Sequence, residues 1–163
     1  MKKLIALLLT LLMVFSLAAC TVDLDDSSQG SGTVDNAEPA VNNKLGNYQI
    51  DIKGCRLAED YEGKPIVIIT YGFTNNNDDA TAFYLAVTDE VFQNGIGLNK
   101  CYFADDSAKY NSDNQNKEIK KGATLDVEVA YELNDTTTDL EVEVSEFISF
   151  SDKKLTKTFK ISE

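Results

Sequence analysis

The sequence lacks histidine and tryptophan, and its only arginine among 163 residues is Arg56. The absence of histidine excludes histidine general bases, histidine zinc ligands and nucleophile pairs of the Ser-His or Cys-His type. Basic residues are also scarce, because 15 lysines and arginines stand against 27 aspartates and glutamates. A chain this acidic repels phosphate groups, so we expect no nucleic-acid partner, and no feature of the composition implies a cofactor.

The first twenty residues have the layout of a bacterial export signal. Two lysines precede an apolar run over 4–17, and small residues stand before Cys20. The run is shorter than the roughly 20 residues that cross a bilayer. Its ending resembles a lipobox, in which the cysteine receives a diacylglycerol, because the large Leu17 does not suit an ordinary secretory cleavage site. We therefore predict a signal peptide over 1–19 and lipid anchoring of Cys20 at the extracytoplasmic face of the cell membrane.

Residues 20–45 are predicted to be the lipidated cysteine followed by a flexible acidic linker. The stretch 21–43 carries five carboxylates, no basic residue and a cluster of serine and glycine. Such a segment buries too little apolar surface to offset the entropy of ordering, and as a coil it would span about 25 Å. Without the signal, 13 basic residues remain against 27 acidic ones, a side-chain charge of −14.

Residues 46–163 are predicted to form one all-β domain, because apolar residues alternate with period two between short turns. The inward-facing sets are Tyr48, Ile50, Ile52; Val67, Ile69, Tyr71, Phe73; Phe83, Leu85, Val87; Leu125, Val127, Val129, Tyr131, Leu133; Leu140, Val142, Val144; and Leu155, Phe159, Ile161. The nearly continuous apolar run 66–73 is typical of a central strand, and Asn94-Gly95 indicates a type I′ hairpin. About seven strands favour an antiparallel β-sandwich, with an open barrel as the alternative.

Several turn and core motifs of this domain also occur in a known family. They are Tyr61-Glu62-Gly63, Tyr71-Gly72-Phe73-Thr74-Asn75-Asn76, Ala80-Thr81-Ala82-Phe83, Val91-Phe92-Gln93-Asn94-Gly95, Lys121-Gly122-Ala123 and Tyr131-Glu132-Leu133. With these motifs the chain resembles an uncharacterised immunoglobulin-like domain of Gram-positive surface lipoproteins, which is similar to telokin-like sandwiches. The resemblance covers about 47–161 and implies an immunoglobulin-like sandwich at the cell surface. It implies no catalytic residue.

Cys55 and Cys101 are a candidate disulfide, since Cys20 is assigned to lipid and the compartment is oxidising. A bridge would close a loop of about 47 residues and contribute roughly 4 kcal/mol in the chain-entropy estimate. The alternation of side chains along the strand argues against a bridge. Ile52 faces inward, so Cys55, three residues later, faces outward unless Gly54 forms a bulge. The alternative is two unpaired thiols. A catalytic thiol is disfavoured because no histidine is present to activate it.

Clustered carboxylates are weak candidates for Ca²⁺, which takes six to eight oxygen ligands. The candidates are Asp78, Asp79, Asp105, Asp106 and Asp113. None fits the twelve-residue calcium loop, so we interpret them as solvated loop residues and predict no metal site. Paired carboxylates also leave open a glycosidase-type hydrolase, although no local pattern supports it.

Charged and aromatic surface residues form two further sets. Acidic residues on exposed strand faces are Asp126, Glu128, Glu132, Glu141 and Glu143, and lysines on or just before the last strand are Lys153, Lys154, Lys157 and Lys160. Cross-strand ion pairs and edge protection account for these charges. The tyrosines Tyr61, Tyr84, Tyr102 and Tyr110 are a candidate binding patch, with half-burial at the sandwich rim as the favoured alternative.

Together these features predict a membrane-anchored extracytoplasmic lipoprotein that is not an enzyme. Its sandwich is expected to bind an extracellular protein, peptide or cell-wall ligand through loops at one end, because loops on rigid scaffolds commonly carry function. Two alternatives remain open: a carboxylate-based hydrolase, and an acidic surface protein that sequesters cationic peptides through its charge.

Overall fold

The computed structural model describes residues 42–161. The predicted signal peptide, Cys20 and almost all of the predicted linker lie outside the described residues. The strands are β1 (Lys44–Leu45), β2 (Tyr48–Glu59), β3 (Pro65–Asn75), β4 (Val87–Gln93), β5 (Ile96–Gly97), β6 (Lys100–Cys101), β7 (Thr124–Glu132), β8 (Leu140–Glu146) and β9 (Lys154–Phe159). One short helix, α1 (Phe83–Ala86), and two 3₁₀ turns, Asp106–Ala108 and Ser112–Asn116, complete the described elements.

Two antiparallel sheets pack face to face, so the predicted β-sandwich is confirmed. One sheet has the order β1-β2-β3-β7-β6 and the other has the order β5-β4-β8-β9. The orders β2-β3-β7-β6 and β4-β8-β9 correspond to the A-B-E-D and C-F-G sheets of immunoglobulin domains, with β5 added at one edge. Across residues 42–161, no helix is both long and apolar enough to cross a membrane.

Strand β3 is central, as its apolar run predicts, and both of its faces are buried. One face contributes Val67, Ile69 and Tyr71 to the core between the sheets. The opposite face places Ile66 and Ile68 in a second apolar cluster on the outside of the five-stranded sheet, where the chain between β6 and β7 covers them. A strand with no solvated face loses the polar half of the period-two pattern, which explains the continuous apolar sequence.

A β-bulge interrupts β2 beside Gly54, the residue at which the sequence allowed for one. Ile52 lies opposite Tyr71 and Gly54 lies opposite Thr70, so one extra residue is inserted between them. The insertion turns Cys55 towards the core between the sheets. The Lys157 ammonium on β9 donates to the backbone oxygen of Ile52 at 2.7 Å, which provides a partner for a carbonyl at the bulge.

The predicted strand through Phe83, Leu85 and Val87 is wrong in its first half. Residues Phe83–Ala86 form a single helical turn, and the strand begins only at Val87. Phe83 and Ala86 are buried while Leu85 is 47% exposed, which is the i, i+3 spacing of a helix rather than alternation. The predicted hairpin at Asn94-Gly95 is confirmed, since Gln93 pairs with Ile96 and both turn residues have positive φ.

The two ends of the sandwich differ in what they expose. The chain enters at β1, and the β1–β2 turn contacts the end of β8, where the Glu146 carboxylate lies against Gly46. We call this the chain-entry end, and it includes the β8–β9 loop. The β2–β3 turn and β6 lie at the other end of the five-stranded sheet, because Glu59 pairs with Pro65 and Lys100 pairs with Tyr131. We call this the distal end.

Candidate functional site

A groove of about 580 Å³ opens at the distal end. Its walls come from the β2–β3 turn and from the chain that follows β6, and they combine aromatic rings with charged groups. The lining residues are Tyr61, Tyr102, Phe103, Ala104, Asp105, Asp106, Lys109, Tyr110 and Ser112. Three of the four tyrosines predicted as a binding patch therefore lie together, whereas Tyr84 lies on α1, away from the groove.

The aromatic side chains of the groove are unusually exposed. Tyr61, Tyr102 and Phe103 have relative exposures of 69%, 73% and 71%. The rings of Tyr61 and Phe103 meet edge to face, with centroids 6.3 Å apart and an interplanar angle of 90°. Contiguous exposed apolar surface of this kind marks interaction sites more often than it marks folding determinants. The alternative of half-burial at the sandwich rim holds for Tyr110, which is half-buried in the groove, and for Tyr84, which is 51% exposed on α1.

Main-chain pairing fixes one wall of the groove against the other. Asp60 and Ala104 form an antiparallel bridge, and the Asp105 amide donates to the Glu59 carbonyl at 3.0 Å. The Asp60 carboxylate in turn accepts from the amides of Glu62 and Lys64, each at 2.8 Å, and so closes the β2–β3 turn. The exposed rings therefore stand on ordered backbone.

Arg56 holds the chain that follows β6, which is the second wall of the groove, against the sheet. Its guanidinium donates to the Ala108 carbonyl at 2.6 Å and to the Glu128 carboxylate at 3.1 and 3.2 Å. Glu128 also accepts from the Asn111 amide at 3.0 Å. Because Arg56 and Glu128 lie on the outer face of the five-stranded sheet, this ion pair orders the loop rather than serving only as a cross-strand pair.

Tyr110 lies at the base of the same wall, where the wall meets the sheet. Its hydroxyl accepts from the Gln115 side chain at 3.0 Å and from the Ala130 amide at 3.2 Å. Burial raises the pKa of Tyr110 above its ordinary value, which keeps the hydroxyl neutral. The side chain of Tyr110 therefore supports the groove, and the rings left for a ligand are those of Tyr61, Tyr102 and Phe103.

The charges of the groove are two carboxylates and one ammonium. Asp105 accepts from the Ser107 amide at 2.8 Å, and hydrogen bonds from Ser107 lower the pKa of Asp105. Asp106 and Lys109 are both exposed beside it. Ring faces attract cations and carboxylates accept from cationic donors, so the groove suits a ligand that presents a positive group next to apolar or planar surface.

The carboxylates considered for calcium do not converge. Asp78 and Asp79 lie between β3 and α1, where Asp78 pairs with Lys121 at 2.6 Å. Asp105, Asp106 and Asp113 lie between β6 and β7. Within the described part of the chain, no three His, Cys, Asp or Glu side chains gather closely enough to hold a metal ion.

Cys55 and Cys101 are free thiols among residues 42–161, so the structure has the alternative of two unpaired thiols rather than the candidate bridge. Strands β3 and β7 separate β2 from β6, which places the two cysteines about 14 Å apart at roughly 4.8 Å per strand. A disulfide needs Cα atoms within about 7 Å. They also lie on opposite faces, since Cys55 contacts the core between the sheets and Cys101 the outer cluster.

Burial raises the pKa of the Cys55 thiol, and the nearby positive charge of Lys157 offsets part of that rise.

The sequence interpretation missed a buried ion pair that connects the two sheets. Asp89 on β4 is 4% exposed and accepts from the Lys100 ammonium at 2.6 Å. Its carboxylate also accepts from the Tyr131 hydroxyl. Burial first, and the Asp89 charge second, raise the pKa of Tyr131, so this hydroxyl remains a donor. The sequence did contain a signal for this pair: Asp89 alternates with Val87 and Val91, so its side chain is on the same inward face of the strand as theirs.

Comparison with known proteins places the chain in a family. Residues 25–146 match the family described as a domain of unknown function, DUF5067. The chain belongs to the DUF5067 family. No curated protein matches it. A solved structure named as a putative lipoprotein from Staphylococcus aureus subsp. aureus NCTC 8325 is similar to this DUF5067 chain with 20% identity and a TM-score of 0.54. The similarity covers 71% of this chain and 84% of that one, and shows a shared fold.

Proposed function

We propose that this DUF5067 protein is a membrane-anchored extracytoplasmic lipoprotein whose distal groove binds an extracellular ligand without catalysis. The lipobox-like ending at Cys20 supports the anchor, and the S. aureus protein of similar fold is itself named as a putative lipoprotein. The strand order supports the proposed relationship to immunoglobulin-like surface domains of Gram-positive bacteria.

The exposed aromatic groove is the observation that carries the proposed binding function. Exposing Tyr61, Tyr102 and Phe103 lowers solubility and contributes little to the core, while the surrounding hydrogen bonds order the walls that carry them. A rigid, partly apolar surface loses little conformational entropy when a ligand binds. The ligand is a protein, a peptide or a cell-wall component.

Capture of cationic peptides is a second candidate function. Asp105 and Asp106 stand beside the exposed rings, so the groove offers both charge and ring faces to lysine or arginine side chains. The excess of acidic residues along the chain would increase the rate of encounter with such ligands. Purely charge-driven capture weakens strongly at high ionic strength, whereas a shape-specific site retains its ligand.

A carboxylate-based hydrolase is not the function we propose. This class pairs a general acid of raised pKa with an ionised carboxylate, and hydrogen bonds from Ser107 lower the pKa of Asp105, so Asp105 does not fit the general-acid role. The Asp105 carboxylate is also engaged with the Ser107 amide. Its role in the groove is therefore electrostatic attraction and loop capping.

The anchor is tested by mass spectrometry of the protein isolated from membranes of its native host. We expect an amino terminus at Cys20 with the mass of a diacylglycerol on its sulfur. A chain that retains residues 1–19, or that begins at residue 20 without lipid, would refute the anchor.

The groove is tested by affinity capture from cell-surface extract, with chain 21–163 as bait at low and high salt. The variant Tyr102→Ala/Phe103→Ala should lose the captured ligand roughly tenfold or more, because paired aromatic anchors dominate small interfaces. The control is Ile96→Ser, which removes a side chain that is 63% exposed outside the groove lining. Equal capture by both variants would exclude the groove as the binding site.

A further inference from the structure

The β8–β9 loop exposes an apolar tip that the groove does not explain. Phe147, Ile148 and Phe150 have relative exposures of 53%, 78% and 109%. The five residues 147–151 read Phe-Ile-Ser-Phe-Ser and contain no charged side chain. Moving this tip out of water would therefore bury apolar surface without burying a charge.

Hydrogen bonds of the tip satisfy part of its backbone locally. The Ser149 hydroxyl accepts from the Ser151 amide at 3.0 Å, and the Ser151 hydroxyl accepts from the Lys153 amide at 3.2 Å. At its base, the Phe147 amide donates to the Ala86 carbonyl of α1 at 3.0 Å. A loop with these amides occupied enters a medium of low polarity at lower cost than one with free amides.

The tip lies at the chain-entry end of the domain. It directly follows Glu146, whose carboxylate lies against Gly46 in the β1–β2 turn. Tyr84 and Leu85 on α1, next to the base of the tip, are also about half exposed. Five exposed apolar or aromatic side chains, those of Tyr84, Leu85, Phe147, Ile148 and Phe150, therefore lie together at the end of the sandwich that contains β1.

The sequence before the domain limits how far this end can lie from a membrane. Only the 21 residues 21–41 separate Cys20 from the first described residue, a reach of at most about 75 Å when fully extended. An anchor at Cys20 therefore holds the chain-entry end at high effective concentration near the bilayer.

We propose that the tip 147–151 inserts into the interfacial region of the bilayer to which the chain is anchored. The domain then stands on the membrane with its chain-entry end down and its distal groove facing outward. The orientation rests on the anchor in the proposed function. Beyond the tip, Asp152 and Lys153 are both exposed and carry opposite charges, and Lys154 is already paired with Glu143 at 2.5 Å, so the insertion rests on the apolar side chains and on the tether rather than on charge.

The acidic domain would not bind an anionic membrane well by itself, so the insertion depends on tethering. A partner protein or a second copy of this chain are the other occupants that an apolar tip admits. The experiment therefore supplies an artificial tether and distinguishes the bilayer from a second copy of the chain, while no change at position 150 would exclude the bilayer and leave a partner protein as the occupant. Its result does not depend on whether Cys20 is lipidated, so failure of the tip and failure of the native anchor are distinguishable.

Chain 21–163 with an amino-terminal histidine tag is bound to vesicles of phosphatidylglycerol and phosphatidylcholine that contain a nickel-chelating lipid. Because the natural chain has no tryptophan, Phe150→Trp introduces a single indole at the tip. Tyr102→Trp, in the distal groove, is the matched control, since Tyr102 is also largely exposed. Both side chains lie outside the core, so neither substitution should alter folding.

We expect the indole at position 150 to emit at shorter wavelength on vesicles and to lose roughly half its intensity when the lipid chains are brominated. The indole at position 102 should show neither change. Three outcomes would overturn the proposal: no change at position 150, equal quenching at both positions, or a shift at position 150 that appears without vesicles as protein concentration rises. The last outcome would assign the tip to a second copy of the chain.

Discussion

At the scale of single residues, the core depends on polar side chains as well as apolar ones. Asp89, Asn75 and Gln93 are all buried, and each has hydrogen-bond partners on another segment. Asn75 and Gln93 donate to backbone carbonyls of loops, so they determine loop conformation from inside the sandwich. Asp89 differs because its partner is an ammonium ion on the opposite sheet.

Removing Lys100 should therefore destabilise the domain more than neutralising Asp89. Lys100→Met leaves a buried carboxylate without its counter-ion and should lower the free energy of unfolding by about 3 kcal/mol. Asp89→Asn keeps an acceptor for Tyr131, and Lys100, whose side chain is 36% exposed, can turn to water, so a loss of about 1–2 kcal/mol is expected. Urea unfolding followed by circular dichroism measures both. Equal losses, or a larger loss for Asp89→Asn, would contradict the assigned roles.

Asp135 should make the β7–β8 loop sensitive to acid. Hydrogen bonds from the Thr138 and Thr137 amides lower the pKa of Asp135 to about 2, from an ordinary value of 3.8. The folded-state pKa is depressed, so the stabilisation is fully present above pH 3.8 and is lost as the pH falls towards 2. Asp135→Asn should be less stable than the natural chain at pH 6, and the difference should shrink near pH 2.

Unfolding midpoints at both pH values test this prediction, with Asp139→Asn as a control in the same loop. Asp139 is exposed, so its substitution should not reproduce the effect. A difference between Asp135→Asn and the natural chain that is independent of pH would show that the amide contacts of Asp135 do not depend on its charge.

At the scale of elements, the β6–β7 segment takes its shape from contacts that are distant in sequence. Its two 3₁₀ turns lie on the outer face of β7, and Arg56 on β2 holds the first of them. A guanidinium contacts the Ala108 carbonyl and the Glu128 carboxylate together because it is a planar group with several donors. With Nη1 on Ala108 and Nη2 on Glu128, the guanidinium bridges the groove wall and the sheet.

Arg56→Lys should loosen the groove wall without unfolding the domain. A lysine ammonium cannot reach both partners in the same geometry, so we expect a loss of about 1–2 kcal/mol and faster amide exchange at Ala108 and Asn111. Hydrogen exchange resolved by residue measures this effect. The control is Lys53→Gln, because Lys53 on the same strand forms only an exposed pair with Asp126. Unchanged exchange in Arg56→Lys would mean that the wall is ordered by other contacts.

The elements that the sequence predicted are those with a local signal. Strands β3, β7 and β8 were recognisable because burial of one or both faces leaves an alternating or continuous apolar pattern within a single segment. The run at Phe83 misled because a four-residue helical turn followed by Val87 matches a strand pattern over so short a window. The side-chain alternation could show neither the partners of the strands nor the free state of Cys55 and Cys101.

The groove had almost no local signal, although three of its tyrosines were named as candidates. Tyr61 and Phe103 stand about forty positions apart in sequence and meet only because the β2–β3 turn pairs with the chain after β6. That pairing requires the strand order of the whole sheet. A patch built from distant loops therefore becomes visible only once the topology is known.

At the scale of the whole molecule, the two ends of the sandwich have different surfaces. The distal end carries exposed rings together with Asp105 and Asp106, whereas the chain-entry end carries an uncharged apolar tip. For a protein held at its amino terminus, this polarity assigns the membrane to one end and a ligand to the other. The central claim is that these two functions are spatially separate.

Site-specific photo-crosslinking on intact host cells tests that claim most directly. A benzophenone side chain is placed at position 102 in the groove, at position 150 in the tip, or at position 96 as a control outside both surfaces. We predict a discrete non-lipid adduct from position 102 only and lipid adducts from position 150 only. The same adduct from positions 102 and 150, or no adduct at position 102 beyond that at position 96, would contradict the account.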